Sequence, residues 1–401
     1  MAFSGSQANP LEAPGQGGAL LTPRGAVALM FAAFGIGAGL WSGASGAILL
    51  RAGVNPGAFG AALTANVAFY LLAMSSVGRL ARAIPTKNIL VICAPLLGFS
   101  YAALLSASTV MSFSAALVLC GLFAGFVDLT MNAEGTKVET QLRRPILAGL
   151  HGVVSAAIGV SALAGGFMAN SALTWLAGLI VAAALIAASA VIALGLPEVG
   201  LESASDRRLG SSRQSSPTLT LIGVVIGVSI ACETSAMWWS ALLLQTEAPS
   251  LAEFSGLGVA FFALCQSVMR LNADRLRRRF DDRRLMIASL GVAMLGLMIV
   301  AAHQSFSGAV LGFAIIGIGT GAVVPCGFAM AAREPGVTPS AALSAVARYG
   351  ALVRLPAPLA VGLIASMFSL STAFAIFIVL LAGALIALIG FMPPAAPKIL
   401  S

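Results

Sequence analysis

An all-α integral membrane protein, with twelve transmembrane helices in two parallel six-helix pseudo-repeats, is the fold class this sequence predicts. Three observations lead there. The 401 residues are 59% hydrophobic and only 9% charged, with 44 glycines and a mean hydropathy of +0.99. A soluble chain carries roughly 25% charge, so this one lacks the polar surface to face water on all sides. The apolar residues fall into twelve runs, each long enough for the ~20 residues that cross a bilayer as a helix. Finally, Val77-Gly78-Arg79-Leu80 and Val268-Met269-Arg270-Leu271 end two of those runs about half a chain length apart, the mark of an internal repeat. The same composition excludes collagen, coiled coil and a secreted disulfide scaffold.

In order, the spans are expected near 25–50, 57–80, 88–108, 109–135, 145–168, 172–196, 218–245, 254–271, 285–303, 306–332, 340–367 and 370–392. Residues 1–23 read as a disordered cytoplasmic tail, without the basic and apolar regions of a signal peptide. Residues 24–196 form an N-terminal six-helix half, and 197–217, rich in Ser and Arg, a cytoplasmic linker. Residues 218–392 form the C-terminal half, and 393–401 a second cytoplasmic tail. In span one, Gly35, Gly37, Gly39, Gly43 and Gly46 predict a thin surface for close helix approach. Pro325 is predicted to bend span ten, and Pro356 and Pro358 span eleven.

Charge sets the direction. With the N-terminus and every even-to-odd connection on one side, that side holds 19 of the 22 Lys and Arg residues. Arg51 alone lies opposite, and Arg348 and Arg354 fall within a span. The positive-inside rule then predicts both termini in the cytoplasm. The isoelectric point of 9.9 follows from this asymmetry, so no nucleic-acid partner is needed. Cys93, Cys120, Cys232, Cys265 and Cys326 are odd in number and lie in apolar runs as small hydrophobes. No Cys or His spacing calls for a metal or cofactor.

Gly78-Arg79-Leu80-Ala81-Arg82 and Arg270-Leu271-Asn272-Ala273-Asp274-Arg275 resemble the G-x-L-x-D-R loop motif of the major facilitator superfamily, and the likeness extends over nearly the whole chain. A narrower similarity is to the YbjJ-like transporters, relatives of the fucose permeases. It rests on Asp128-Leu129-Thr130-Met131-Asn132-Ala133-Glu134-Gly135 in span four and His151-Gly152-Val153-Val154-Ser155 in span five. Glu233 with Trp239-Ser240 in span seven and the stretch 317–325 in span ten also fit. The chain departs from that pattern at Trp238, where an acid is usual, and at Arg348 and Arg354, where span eleven is usually Gly-rich. The resemblance implies a secondary transporter working by alternating access, monomeric, in a bacterial inner membrane.

Charges at membrane depth cost at least ~2.5–3.5 kcal/mol each, so those present are candidates for function. They are Asp128 and Glu134 in span four, His151 in span five, Glu233 in span seven, and Arg348 and Arg354 in span eleven. By helical rise, Asp128 and Arg348 lie ~12 Å from the cytoplasmic end, and Glu233 and Arg354 ~21 Å. Two acid–base layers at matched depth are therefore expected. They read either as structural ion pairs or as coupling acids, Asp128 and Glu233, set against substrate-holding arginines, Arg354 and Arg348. A guanidinium fork suits a carboxylate or phosphate, which favours an organic anion, with protons as the coupling partner. If all four charges pair, a sugar or other neutral metabolite is equally expected.

Asn132, Trp238, Trp239 and Gln266 are candidate substrate contacts, with Trp41 and Asn66 further candidates for the cavity wall. Glu134, His151, Asp274 and Arg275 are candidate gates or structural ties. His303 is expected at a loop edge. The basic loop 275–284 reads either as a latch across the cytoplasmic side or as a contact for anionic lipid. No Walker A motif is present. The competing readings are a drug or metabolite efflux antiporter, a rhomboid-type serine protease at Gly43-Ala44-Ser45-Gly46, and a membrane sensor. Against the antiporter, span five reads Ser161-Ala162-Leu163-Ala164-Gly165-Gly166 where those proteins carry Gly-Pro.

Overall fold

A computed structural model describes residues 22–144, 146–169, 173–197, 216–302 and 305–391. The expected tails at 1–23 and 393–401, the linker at 197–217 and His303 lie wholly or mostly outside them.

Among the described residues there is no strand, and twelve segments are long and apolar enough to cross a membrane. The first six are α1 (Pro23–Ala52), α2 (Pro56–Leu80), α3 (Thr86–Leu105), α4 (Val110–Leu142), α5 (Leu147–Ala169) and α6 (Thr174–Gly195). Next come α7 (Pro217–Glu247), a 3-10 turn at Pro249–Phe254, α8 (Leu257–Arg279) and α9 (Asp282–Ala301). Span ten is two helices, α10 (Phe306–Thr320) and α11 (Val323–Ala331). Span eleven is likewise α12 (Pro339–Arg354) and α13 (Ala357–Met367), followed by α14 (Leu370–Phe391). The breaks have a local cause. Pro325 lacks the N–H that the Gly321 carbonyl would take, and the helix parts at Gly321–Ala322. Pro356 does the same between α12 and α13. Pro95 is carried inside α3 without a break.

Helix starts are written in the sequence. Thr22 and Asn55 accept from the amides of Gly25 and Ala58 at 3.1 and 2.8 Å, each with a proline in the first turn. Thr109 and Ser112 cap each other at the start of α4. Arg51, the lone cation on its face, is consumed structurally. Its guanidinium donates to the carbonyls of Leu105 and Ala107, at 2.5 and 3.2 Å, where α3 ends. Large apolar side chains are exposed around the outside, as at Val379 (70%) and Ile386 (69%) on α14, a surface that hydrocarbon covers without cost.

The closest packing is between α1 and α5. A Cβ on Gly39 would stand 2.1 Å from Ser161 Oγ, and one on Gly43 2.0 Å from the Ala162 carbonyl oxygen, so only glycine admits this approach.

Helices α1–α6 pack mainly among themselves, as do α7–α14, and the two bundles meet through α1 with α7, α2 with α13, and α5 with α8. The α5–α8 contact runs the length of both helices, from Gly166 against Gly256 to Gly152 against Leu271, while the α2–α13 and α1–α7 contacts centre on the half away from the basic face. There Leu359 N donates to Thr64 Oγ1 at 3.0 Å and Ser45 Oγ to the Trp238 carbonyl at 3.4 Å. Trp239 of the second bundle, fully buried, sits 4.5 Å from the ring of Phe59, within a cluster that includes Trp41 and Phe113. Towards the basic face, α4 and α11 make no substantial contact, nor do α2 and α12. The space between the bundles therefore opens to that side. A Cβ on Gly57 would stand 3.1 Å from Ser366 Oγ, within disulfide reach. The pair Gly57→Cys with Ser366→Cys is expected to cross-link on mild oxidation, read as a mobility shift on a non-reducing gel; failure to cross-link would show that α2 and α13 do not meet here.

Candidate functional site

A cavity of about 170 Å³ lies between the bundles, bounded by side chains of α1–α5 and α7 and by Arg354. Arg354 is the last residue of α12, at the break before Pro356, so its side chain leaves a helix end rather than a packed helix flank. Its guanidinium carbon stands 5.5 Å from the centre of the Tyr70 ring, a cation–π contact. Arg354 makes no ion pair among the described residues, and its Nε is buried without a hydrogen-bond partner.

Beside it runs a chain of hydrogen bonds through the Asp128 carboxyl. The Tyr70 hydroxyl donates to Asp128 Oδ2. Asn132 Nδ2 donates to Asp128 Oδ1 at 2.9 Å and to its carbonyl at 2.8 Å, as i and i+4 on one helix face allow. His151 Nε2 then meets Asn132 Oδ1 at 3.0 Å, and the imidazole is exposed towards the open side, edge-on to Phe31. Four residues from α2, α4 and α5 are thus joined in a line, and Asp128 makes no ion pair among the described residues.

The matched-depth layers do not form as expected. Glu233 pairs with Arg270 of α8, Nη2 to Oε2 at 2.9 Å, and Arg354 lies within electrostatic reach as a second cation. Arg348 is exposed and does not meet Asp128. Depth along an axis is one coordinate; the azimuth of each side chain is the other, and it separates Arg348 from Asp128.

The remaining candidates divide. Trp238 lines the cavity, whereas Trp239 is buried behind it in the ring cluster. Gln266 is buried and donates to Thr320 Oγ1 at 3.3 Å, between α8 and α10. Glu134 is buried against Thr86 Oγ1 (2.5 Å) and Lys137 (3.0 Å), a tie between α3 and α4 within one bundle. Asp274 and Arg275 are exposed at the basic face. Arg277 reaches both Asp274 (3.3 Å) and the buried Asp282 (2.7 Å), and Arg333 reaches Asp282 at 2.8 Å. These ion pairs join α8, α9 and the end of α11. Among the described residues no cluster of His, Cys, Asp and Glu has the makeup of a metal centre.

Sequence reasoning missed Tyr70 and the role of Arg270. A tyrosine in an apolar run carries no charge to flag it, and Arg270 stood at a span end, where a basic residue needs no explanation.

No protein-family model matches the chain. An uncharacterized MFS-type transporter of Yersinia pestis is 27% identical over 86% of this chain and 90% of its own length. An uncharacterized transporter of Sinorhizobium fredii is 29% identical over 92% of this chain and 98% of its own. Among solved structures, the nucleoside transporter NupG superposes with a TM-score of 0.72 at 12% identity, covering 92% of this chain and 100% of that one. The human organic anion transporter MFSD10 gives a TM-score of 0.64 at 15% identity, covering 91% and 98%.

Proposed function

Taking as premise a transporter of major-facilitator type and not an enzyme, we propose that this chain moves a small organic anion by alternating access, driven by protons. In this reading the membrane is a bacterial inner membrane with both termini in the cytoplasm, and the structure is open inward. The YbjJ-like branch belongs to the same proposal, supported by its two motifs meeting at the Asn132–His151 hydrogen bond.

The observation that carries the reading is Arg354. It lies in the inter-bundle cavity with no ion pair of its own among the described residues, held over an aromatic ring, and the Glu233 carboxylate within its electrostatic reach is already paired with Arg270. An anion that settles there satisfies a cation the protein leaves unpaired. Asp128 is the proton carrier in this scheme: its partners Tyr70 and Asn132 are neutral, so taking up a proton breaks no ion pair. Glu233 is held by Arg270 and serves structure.

The test is a thermal-shift series on purified protein with carboxylates, phosphates, sugars and cationic drugs, beside Arg354→Ala. Anions alone are expected to stabilise the wild type, by ~2.7 kcal/mol at a hundred times the dissociation constant, and the variant loses that shift. Stabilisation of both proteins by neutral compounds sinks the anion reading. For coupling, Asp128→Asn is expected to lose uptake driven by an imposed pH gradient in proteoliposomes while substrate exchange persists. Unchanged gradient-driven uptake would remove Asp128 from that role.

A further inference from the structure

The chain holds four tryptophans and three tyrosines. Two of each, Trp41, Trp238, Tyr70 and Tyr101, line the cavity at Arg354 together with Phe34. They come from α1, α2, α3 and α7, so rings bound the space from both bundles. The volume is that of one ring: about 170 Å³, against the ~150 Å³ of an apolar cavity known to take up a single benzene.

The polar inventory is thin. Asn66 spends its amide nitrogen on the Leu117 carbonyl at 2.7 Å, and Thr234 its hydroxyl on the Ile230 carbonyl at 2.9 Å. The Tyr70 hydroxyl is committed to Asp128, which leaves the Ser42 hydroxyl and Arg354 Nε as the buried lining atoms without a partner. Among the lining residues Arg354 alone is charged. A polyol desolvated here would leave most of its hydroxyls unmatched, and each unmade bond carries a penalty. A flexible acyclic chain would give up rotamer freedom and gain no ring-to-ring contact.

We propose that this cavity is built for a planar, one-ring monoanion of the aromatic carboxylate class, its carboxylate on Arg354 and its ring among Tyr70, Trp41 and Trp238. The inference rests on the anion reading of Arg354 and narrows it to a shape.

Calorimetric titration of the full chain in detergent separates the two. Benzoate is the probe, benzamide its neutral counterpart of the same shape, and hexanoate an anion of similar bulk without a ring. Benzoate is expected to bind about tenfold tighter than hexanoate, the size of an added aromatic contact, and about tenfold or more tighter than benzamide, the size of a hydrogen bond to a charged group. Trp238→Leu should weaken benzoate by about tenfold and leave hexanoate nearly unchanged, and Arg354→Gln should erase the preference over benzamide. Hexanoate binding as tightly as benzoate overturns the ring inference and leaves the anion reading standing. Benzamide binding as tightly as benzoate overturns the anion reading itself. Absence of heat with all three overturns the ring inference. Should Trp238→Leu fail to elute as a single species, the three ligands on the wild type still decide the question.

Discussion

Arg270→Ala is expected to destabilise the protein by about 2–3 kcal/mol, and Glu233→Gln by only about 1 kcal/mol. The asymmetry follows from burial. The Arg270 side chain is 38% exposed and that of Glu233 only 10%. Deleting the arginine strands a buried carboxylate, for which Arg354 gives partial relief. Deleting the carboxylate charge leaves a cation that water already reaches, and this partial solvation also puts the larger estimate just below the ~3–5 kcal/mol of fully buried pairs. The double variant should recover most of the loss, because the stranded charge has gone. Melting temperatures of all four proteins in one detergent close the cycle. Equal losses from the two single variants would show that burial does not govern this pair.

The largest packing effect is expected at Gly43. A methyl there meets the Ala162 carbonyl oxygen at 2.0 Å, and the same oxygen lies 2.0 Å from a Cβ built on Gly256, ahead of α8. That one carbonyl is therefore a point where α1, α5 and the start of α8 converge on backbone, with no flexible side chain to yield. Gly43→Ala should cost about 3 kcal/mol or more, since the helices have to separate. Gly291 in α9 has nothing within 4 Å of its virtual Cβ, and Gly291→Ala is expected to be neutral or to stabilise by up to about 1 kcal/mol through helix propensity. Size-exclusion profiles and melting curves of the two variants, side by side, check this. A Gly43→Ala protein as stable as wild type would mean that α1 and α5 can slide apart freely.

The fold was legible because a bilayer imposes long apolar runs and a charge bias, and both are written in one dimension. The proline breaks at Pro325 and Pro356 were legible for the same reason: a missing N–H acts locally. Asp128, His151 and Arg354 of the candidate site were legible one by one, because a charge in an apolar run is costly wherever its neighbours lie. Their connections were not. Which acid meets which base depends on helix rotation, and the reach of Arg270 from near the end of α8 to Glu233 has no signature in spacing. Tyr70 and Phe59 were harder still, since an aromatic ring pays nothing to lie in a membrane and draws little notice until other rings surround it.

The two broken spans lie on the same side of the molecule. Spans ten and eleven are each two short rods with a joint, at Gly321–Ala322 and at Leu355–Pro356, while every span from α1 to α6 is a single rod. The breaks are thus confined to one bundle, with α1–α6 unbroken opposite them. Arg354 stands at one of those joints. On the proposed reading, a ligand held by this arginine would load the joint directly, and the second bundle would take up that load first.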